Sequence, residues 1–433
     1  MKGMAVRPKI VIVGAGFGGM AAARALKDVA ADITLIDRTN HHLFQPLLYQ
    51  VATAALSPAD IATATRVLMR KNRNATVLMA EVVGVDAQTQ TISLSDGRAI
   101  PYDYLILATG AAYSFFGNDQ WADHAKVLKT LDDALGIRET LLLAFERAEQ
   151  ASDPLEVQRL LTFMVVGGGP TGVETAGTIA EMARTTLARD FRHIDPRAAR
   201  VILCEAGDKI LGAFPRDLPA YAVGALESLG VEVRLGQAVS MIDAKGVTLG
   251  TELVPAATIL WCAGTQARPA AQWLHADAAR NGAVKVGQDC SLPGHSNIFA
   301  IGDVSSFPDE NGKPLPGLAP VAKQQGKYVG RLLAARIAGR PSISAFKYRN
   351  LGTMAVIGRS RAVADFGWLQ LKGYLAWAAW SLVHLMLLVD FRSRVAVYVN
   401  WSWAWFTYGR GARLLTGRTA GEPSDRSPPN SPS

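Results

Sequence analysis

Two glycine-rich turns carry the first chemical signal in this chain, at residues 14–19 (GAGFGG) and 167–172 (GGGPTG). Both have the spacing G-x-G-x-x-G. One glycine allows a tight turn, the next lets the backbone approach a pyrophosphate, and the last lets a helix pack closely on a strand. The pattern indicates the phosphate-binding turn of a dinucleotide site, although the spacing alone also occurs in plain tight turns.

A carboxylate follows each turn at the end of a later apolar run. Asp37 ends the run 32–37 (DITLID), and Glu205 ends the run 199–205 (ARVILCE). A carboxylate at this point can accept hydrogen bonds from the ribose hydroxyls of an adenine dinucleotide. Two turns, each with its own acidic residue, therefore predict two dinucleotide sites in one chain.

The elements that must position these residues are a strand before each turn and a helix after it. Residues 9–13 and 163–166 have the pattern of buried strands, and each turn opens a run with helical spacing. Residues 101–110 predict a strand ending at Thr109-Gly110, where the backbone can pass close to a pyrophosphate. The fold class is therefore predicted as α/β, with two Rossmann-like dinucleotide-binding domains and an α-rich C-terminal segment.

The composition is that of a globular chain with room for about two or three domains. Of the 433 residues, 49% are hydrophobic and 19% are charged. Cys204 and Cys262 lie in apolar strand-like runs without C-x-x-C spacing, so they are predicted to be buried small hydrophobic residues. Residues 1–8 contain no apolar signal-peptide core, and this with the cysteine usage fits a cytoplasmic protein. No metal site is predicted.

The composition changes after residue 365. Residues 373–389 are seventeen residues without Lys, Arg, Asp or Glu, which is at the lower limit for crossing a bilayer. Residues 359–418 contain eight Lys or Arg against two Asp, and most of the tryptophans. These charges bracket long apolar runs with Trp and Tyr near their ends, which disfavours nucleic acid as a partner and favours a membrane surface.

Residues 365–418 are therefore predicted to attach the protein to a membrane surface. A helix pair buried in a homodimer and a membrane span are the alternatives. The Pro- and Ser-rich tail, residues 419–433, is predicted to be disordered.

With these features in view, the chain resembles the type II NADH:quinone oxidoreductases, a family of flavoproteins with two dinucleotide-binding domains. The resemblance is most specific in five stretches: GAGFGG, NHHLFQPLLYQVAT (40–53), VVGGGPTGVE (165–174), FAIGD (299–303) and AWAAW…H…DFRSR…W (376–401). It implies transfer of two electrons from NADH through FAD to a membrane quinone, without proton pumping. It also implies peripheral attachment at the cytoplasmic face of the inner (plasma) membrane.

The resemblance implies that FAD binds at the first turn. The residues implied to hold FAD are Gly14, Ala15, Gly16, Phe17, Gly18, Gly19, Asp37, Arg38, Val82, Thr109, Gly110, Gly302, Asp303, Ala319 and Gln324. Asp37 would accept from the ribose, and Asp303 from the ribityl or pyrophosphate side. An aspartate in the place of Asp303 also suits a helix N-cap.

The resemblance implies that NADH binds at the second turn. The residues implied to hold NADH are Gly167, Gly169, Pro170, Thr171, Gly172, Glu205, Ala263 and Gly264. The charge of Glu205 would repel a 2′-phosphate, so NADH is expected in preference to NADPH. Glu174 is the implied catalytic residue, facing the flavin and moving protons or placing the nicotinamide; a capping carboxylate at the helix start is the structural alternative.

The helix predicted from Ala319 to Ile337 would direct its N-terminus at the flavin, where the helix dipole stabilises negative charge. The chain departs from the family pattern here, because Ala319-Pro320 stands where the family has Ala-Gln. Proline at the first helical position suits a helix start. The family's glutamine contact with the quinone is therefore not carried over, and the way the quinone head group is held stays open.

The predicted domains are an FAD-binding domain (1–125 and 285–345), an NADH-binding domain (126–284) and a membrane-anchoring region (346–418). A homodimer is left open. A disulfide reductase or a sulfide:quinone oxidoreductase needs paired cysteines beside the flavin, and residues 38–75 contain no cysteine. Two functional alternatives remain: a soluble NADH-dependent reductase of a protein carrier such as ferredoxin, and a non-catalytic flavoprotein that responds to NADH.

Overall fold

The chain folds into two parallel-sheet units and a C-terminal region. A computed structural model describes residues 7–215, 217–341, 343–407, 409 and 411–415. The tail predicted to be disordered, residues 419–433, lies outside the described residues.

The first nucleotide unit is built on a six-stranded sheet around the strand Lys9–Val13, which leads into the helix Phe17–Ala25. All neighbouring strands are parallel except the first pair. In spatial order, the strands are Ser291–Leu292, His295–Ala300, Tyr104–Leu107, Lys9–Val13, Asp32–Asp37 and Ala75–Met79. Central strands buried on both faces need continuous apolar runs, as this sequence has.

The second nucleotide unit repeats this plan on a five-stranded parallel sheet, and its central strand leads into the helix Pro170–Glu181. In spatial order, the strands are Lys126–Val127, Thr258–Trp261, Thr162–Val166, Arg200–Cys204 and Val231–Arg234. The prediction of two Rossmann-like units is confirmed.

Shorter elements link and flank the two units. The antiparallel pair Ala111–Tyr113 with Thr265–Ala267 connects them. Small antiparallel sheets are formed by Val82–Asp86, Thr91–Leu94 and Ala99–Pro101, and by Val239–Asp243, Gly246–Leu249 and Glu252–Pro255. Further helices are Leu131–Gln150, Pro154–Leu160 and Leu218–Ser228.

The 41–69 segment follows the second strand of the first unit and forms a platform of short elements. Its strands His41–Leu43 and Ala62–Ala64 pair antiparallel. Its helices are Leu48–Ala52, Pro58–Ile61 and Thr65–Met69.

The helix Ala319–Ile337 begins and ends as predicted and crosses the helix Phe17–Ala25 at glycine contacts. A Cβ on Gly326 would lie 2.1 Å from the carbonyl oxygen of Gly18, and one on Gly330 would lie 2.6 Å from Cβ of Ala25. Because only glycine permits so close a crossing, these residues set where the N-terminus of the second helix lies.

The C-terminal region begins with a three-stranded antiparallel sheet that the prediction of an α-rich segment missed. Its strands are Thr353–Gly358, Arg361–Asp365 and Gln370–Gly373. It packs on the helix Pro170–Glu181 so closely that a Cβ on Gly177 would lie 1.7 Å from the carbonyl oxygen of Ile357.

The C-terminal helix pair, Tyr374–Leu387 and Phe391–Thr407, follows this sheet. Its buried side chains, among them Ala376, Trp380 and Val397, join the core of the second unit. Within the described part of the chain, no helix has both the length and the apolar character needed to cross a membrane.

Candidate active site

The first glycine turn has no space for side chains at two of its glycines. Gly14 has a φ of +104°, and a Cβ there would lie 2.3 Å from the carbonyl oxygen of Ala108. The Gly14 N–H donates to the carbonyl of Ile36 at 2.7 Å. A Cβ on Gly19 would lie 1.8 Å from the carbonyl oxygen of Gly14, so the helix start packs directly on the turn.

The second glycine turn has the same geometry. Gly167 has a φ of +107°, and its N–H donates to the carbonyl of Cys204 at 2.8 Å. A Cβ on Gly172 would lie 1.9 Å from the carbonyl oxygen of Gly167. The two turns are therefore structural equivalents, residue for residue.

The two acidic residues hold equivalent positions as well. Asp37 accepts a hydrogen bond from the Ala15 N–H at 2.6 Å, and Glu205 accepts one from the Gly168 N–H, also at 2.6 Å. Each carboxylate therefore accepts a hydrogen bond from the second residue of its own turn, and we call each glycine turn with its carboxylate a cradle. Both carboxylates are half-buried.

Buried polar atoms without partners lie around the first turn. Within the described part of the chain, neither Oγ1 of Thr109 nor Nε2 of Gln325 has a hydrogen-bond partner. Oε1 of Gln325 accepts from the Gly302 N–H at 2.7 Å. This bond connects the helix Ala319–Ile337 to the turn at Gly302-Asp303, which we call the Gly-Asp turn. Because burying an unpaired polar group is costly, these atoms fit a polar cofactor such as FAD.

Asp303 forms a half-buried ion pair that the sequence did not reveal. Nζ of Lys129 lies 3.6 Å from its carboxylate. The Lys129 N–H in turn donates to Asp133, which also caps the helix Leu131–Gln150 together with Thr130. The capping sequence predicts a helix start, but nothing local to Lys129 predicts a partner 174 residues later in the chain.

The N-terminus of the helix Ala319–Ile337 lacks a side-chain cap among the described residues. Its N-cap position is Leu318, and Pro320 occupies the first turn. The remaining N–H groups and the helix dipole are therefore available to an acceptor with partial negative charge.

The geometry assigns the position next to the Gly-Asp turn to Gln325 instead of the predicted Gln324. The side chain of Gln324 is engaged with the backbone of Arg349, donating to its carbonyl at 2.9 Å and accepting from its N–H at 3.0 Å. Consecutive helical residues point about 100° apart, and Gln325 shares the buried face of its helix with Ala322 and Val329, a spacing that the sequence shows.

His42 and Phe44 support the first turn, and neither was predicted as a site residue. Nδ1 of His42 donates to the carbonyl of Ala15 at 2.8 Å. Its ring lies 5.2 Å from that of Phe17, which in turn lies 6.0 Å from Phe44. Burial lowers the pKa of His42, so the imidazole is neutral and serves as a fixed donor.

The remaining predicted FAD residues differ in exposure. Gly16 and Arg38 are exposed, Gly18 and Val82 are buried, and Gly110 has a φ of +70°. A Cβ on Gly18 would lie 3.2 Å from the side chain of Ile301.

The predicted NADH residues converge on the second turn. A Cβ on Gly167 would lie 2.9 Å from the Ala263 nitrogen, and Gly264 has a φ of +68°. Gly169 is the N-cap residue of the helix, and Pro170 and Thr171 follow in its first turn.

Glu174 lies one turn into that helix and is half-buried. Its Oε1 accepts from the Val356 N–H at 3.5 Å, which is at the limit for a hydrogen bond. Burial raises the pKa of Glu174 well above its usual range. The carboxyl group therefore lies at the junction with the C-terminal sheet and favours its protonated form.

The C-terminal helix pair docks on the 41–69 segment. Nε1 of Trp401 donates to Oε1 of Gln50 at 2.7 Å, and the amide of Gln50 donates to the hydroxyl of Tyr49 at 2.8 Å. The His384 ring lies 4.4 Å from that of Trp380 in a stacked arrangement. Burial lowers the pKa of His384 to about 4, so it is a packed neutral histidine.

The opposite face of the helix pair presents large apolar side chains to solvent. The exposed ones are Tyr374, Leu375, Leu382, Met386, Leu387, Phe391, Val395, Tyr398, Val399, Trp403, Trp405 and Phe406. We call this set the apolar face. It is far larger than the scattered apolar residues of an ordinary surface, and such faces mark binding to a partner or a membrane.

The thiols of Cys204 and Cys262, which lie near the second turn, are held in their neutral form. Cys204 is buried and Cys262 is half-buried, and burial raises the pKa of both thiols to about 12. The described residues contain no group of His, Cys, Asp or Glu side chains that could hold a metal ion.

Comparisons with known proteins agree with this geometry. Residues 8–326 match the family model described as pyridine nucleotide-disulphide oxidoreductase, and residues 350–410 match the NDH2 C-terminal domain. The type II NADH:quinone oxidoreductase Ndh of Mycobacterium tuberculosis is 42% identical, over 96% of this chain and 91% of that protein. The mitochondrial internal alternative NAD(P)H-ubiquinone oxidoreductase A1 of Arabidopsis thaliana is 29% identical, over 93% and 85%.

A solved structure shares the fold over nearly the whole chain. It is NDH2 from Plasmodium falciparum in complex with NADH, with a TM-score of 0.87 and 22% identity, covering 95% of this chain and all of that one. At this identity the likeness establishes the common fold.

Proposed function

The chain belongs to the type II NADH:quinone oxidoreductases of the pyridine nucleotide-disulphide oxidoreductase family, and from this premise we propose that it oxidises NADH with bound FAD and reduces a membrane quinone. The observation that carries the proposal is the pair of equivalent cradles, each with a carboxylate at its edge, beside a helix pair with an apolar face. That face favours a lipid-soluble acceptor over a protein carrier such as ferredoxin.

When bound, FAD supplies the two-electron chemistry between NADH and the quinone. The chain's own residues hold it: Asp37 would bind the ribose, and the first turn would receive the pyrophosphate on its backbone N–H groups. Thr109 and Gln325 would satisfy their buried polar atoms on the cofactor. The uncapped helix N-terminus at Ala319 would stabilise negative charge on the ring system.

At the second cradle, Glu205 would bind the adenosine ribose of NADH and disfavour the 2′-phosphate of NADPH. The turn 167–172 would receive the pyrophosphate. The nicotinamide half would lie beside Ala263–Gly264, on the other side of the turn from Glu205.

Glu174 is proposed as a proton-handling residue. Its burial favours the protonated form, so it can hold a proton at the junction between the second unit and the C-terminal sheet. As pH rises through its raised pKa, the carboxyl ionises and the rate of quinone reduction should fall. Glu174→Gln should remove this alkaline limb of the pH profile, and the exposed Glu227→Gln should leave it unchanged.

The apolar face is proposed to lie on the cytoplasmic surface of the inner (plasma) membrane. It presents aromatic side chains together with Arg392, and Arg394 lies on the same helix. Aromatic side chains favour the boundary between lipid headgroups and acyl chains, and cations are attracted to anionic headgroups, so both favour interfacial binding. The protein would then collect its quinone from the membrane without crossing it.

Turnover with a quinone tests the proposed function. Purified protein mixed with NADH and a water-soluble quinone should oxidise NADH continuously, with the flavin absorbance bleaching and returning. If NADH bleaches the flavin but no quinone accelerates the return of its colour, the quinone proposal is wrong. Acceleration by a ferredoxin in place of any quinone would favour the soluble alternative.

A further inference from the structure

Phe116 lies in an unusual place on the loop that links the two units. Its side chain is 67% exposed, and its φ of +55° is in the left-handed region that non-glycine residues rarely adopt. Gly117 follows with a φ of +90°. A phenylalanine in this backbone conformation costs free energy of folding, so the surrounding structure must impose it.

The linking loop is fixed to the second unit just before this residue. Nε1 of Trp261 donates to the carbonyl of Ser114 at 3.0 Å, and the Phe116 N–H donates to Oγ of Ser114 at 3.1 Å. A Cβ on Gly264 would lie 2.4 Å from Cζ of Phe116. The tip of the ring therefore rests on Gly264, and its centroid lies 6.1 Å from that of Trp261 at an interplanar angle of 65°. Most of the ring surface nevertheless remains exposed to solvent.

The strand order shows which half of a dinucleotide would meet this ring. The strands Arg200–Cys204 and Thr258–Trp261 lie on opposite sides of the central strand Thr162–Val166. A ribose at Glu205 is on the first side. A pyrophosphate crossing the second turn then carries the other half to the opposite side, where Gly264 and the ring lie.

We propose that Phe116 positions the nicotinamide half of NADH by packing an exposed face of its ring against it. This inference rests on the proposed binding of NADH at the second turn. An aromatic ring gains from offset stacking on a flat heterocycle, and its rigidity means that little conformational freedom is lost on binding. The strand Ala111–Tyr113, paired with Thr265–Ala267, borders the same side of the crevice.

Binding of two nucleotides to the FAD-loaded protein tests the assignment. Phe116→Ala should weaken binding of NAD⁺ about three- to tenfold, as expected from the loss of one aromatic contact, and leave binding of ADP-ribose unchanged. Glu205→Gln should weaken both, because both contain the adenosine ribose. Titration calorimetry measures the affinity of the wild type and of each variant for NAD⁺ and for ADP-ribose. The surface control is Leu155→Ala, because Leu155 lies in the second unit and is 75% exposed.

A second variant separates the ring from the backbone strain. Phe116→Gly removes the ring and accepts the positive φ, so it should lose NAD⁺ affinity as Phe116→Ala does while unfolding at a higher temperature than that variant. Phe116→Tyr should retain the affinity. Equal weakening of NAD⁺ and ADP-ribose by Phe116→Ala, or no weakening of either, would overturn the assignment.

Failure of the proposed function gives a different result. If NADH does not bind at the second turn, Glu205→Gln should also leave both affinities unchanged. If Glu205→Gln weakens binding and Phe116→Ala does not, only the role of Phe116 is wrong. In both cases the wild-type titration shows whether the nucleotide binds at all.

Discussion

The two glycine turns have nearly identical bonding but different surroundings. A Cβ on the last glycine would lie 1.8 Å from the turn carbonyl in the first and 1.9 Å in the second, and each carboxylate bond measures 2.6 Å. The turn alone therefore does not decide which nucleotide is held or for how long. The difference must come from the residues packed around it.

Around the first turn, side chains from distant parts of the chain converge. His42 holds the turn from the 41–69 segment, and Gln325 reaches it from the helix Ala319–Ile337. The polar Thr109 occupies the position where the second unit has the apolar Ala263. These contacts favour a cofactor that stays bound, whereas the second turn is bordered by the linking loop and favours a substrate that comes and goes.

Substituting the first glycine of each turn separately should give the largest effect on stability and nucleotide binding. Gly14→Ala would place a Cβ 2.3 Å from a carbonyl oxygen at a φ of +104°. We therefore expect the free energy of unfolding to fall by about 3 kcal/mol or more and the purified variant to contain no FAD. Gly167→Ala should retain FAD and lose NADH-driven flavin reduction. Flavin content, thermal unfolding and flavin bleaching measure these effects.

A matched glycine controls for backbone strain in that experiment. Gly97 has a φ of +84° and open space around its Cα. Gly97→Ala should cost only about 1 kcal/mol and retain both nucleotides. If Gly167→Ala also released FAD, the two sites would not be independent as described.

Exchanging the charge at one carboxylate should change nucleotide choice at that site alone. Glu205→Arg removes the repulsion of a 2′-phosphate and supplies a cation, so the ratio of kcat/KM for NADPH to that for NADH should rise by about tenfold or more. FAD content should not change. An unaltered ratio would contradict the placement of the NADH ribose at Glu205.

The apolar face can be tested without disturbing either turn. Phe391, Trp403 and Phe406 are exposed, and each contributes about 1.5–3 kcal/mol if it inserts into lipid. Replacing all three by serine should move the protein from vesicle pellets to the supernatant while NADH still bleaches the flavin. The exposed pair Leu155→Ser and Met241→Ser is the control, and continued pelleting of the triple variant would contradict membrane attachment by this face.

A pH dependence of stability is expected at the docked helix pair. His384 binds its proton with a pKa of about 4 in the fold, against an ordinary value of 6.5. As pH falls, the unfolded chain takes up the proton first, so the free energy of unfolding should fall between pH 6.5 and about 4 and level off below. His384→Phe should flatten this part of the curve in denaturant titrations, and an unchanged slope would contradict the burial of His384.

The parts of the fold that follow from local pattern were predictable from the sequence. The glycine spacing with the acidic residues at 37 and 205 predicted both units, and the helix Ala319–Ile337 was predicted at both ends. The C-terminal sheet was not predicted, because its strands are only four to six residues long and a short apolar run such as Thr353–Gly358 has no periodicity that separates a strand from a helix.

The parts of the site that depend on long-range contacts were not predictable. Lys129 meets Asp303, and Phe116 rests on Gly264, only after the chain has folded. Such contacts are set by tertiary packing and carry no local signature. Gln325 is an exception, because it shares the apolar face of its helix with Ala322 and Val329, and that spacing could have identified it from the sequence.

The nucleotide content of purified protein tests the central comparison most directly. The protein is gel-filtered to remove loosely bound ligands and then denatured, and the released nucleotides are separated and quantified. The account predicts FAD in an equimolar ratio to the chain and no nicotinamide nucleotide. Nicotinamide nucleotide retained in an equimolar ratio, or FAD well above that ratio, would contradict a permanent site at the first turn and a transient one at the second.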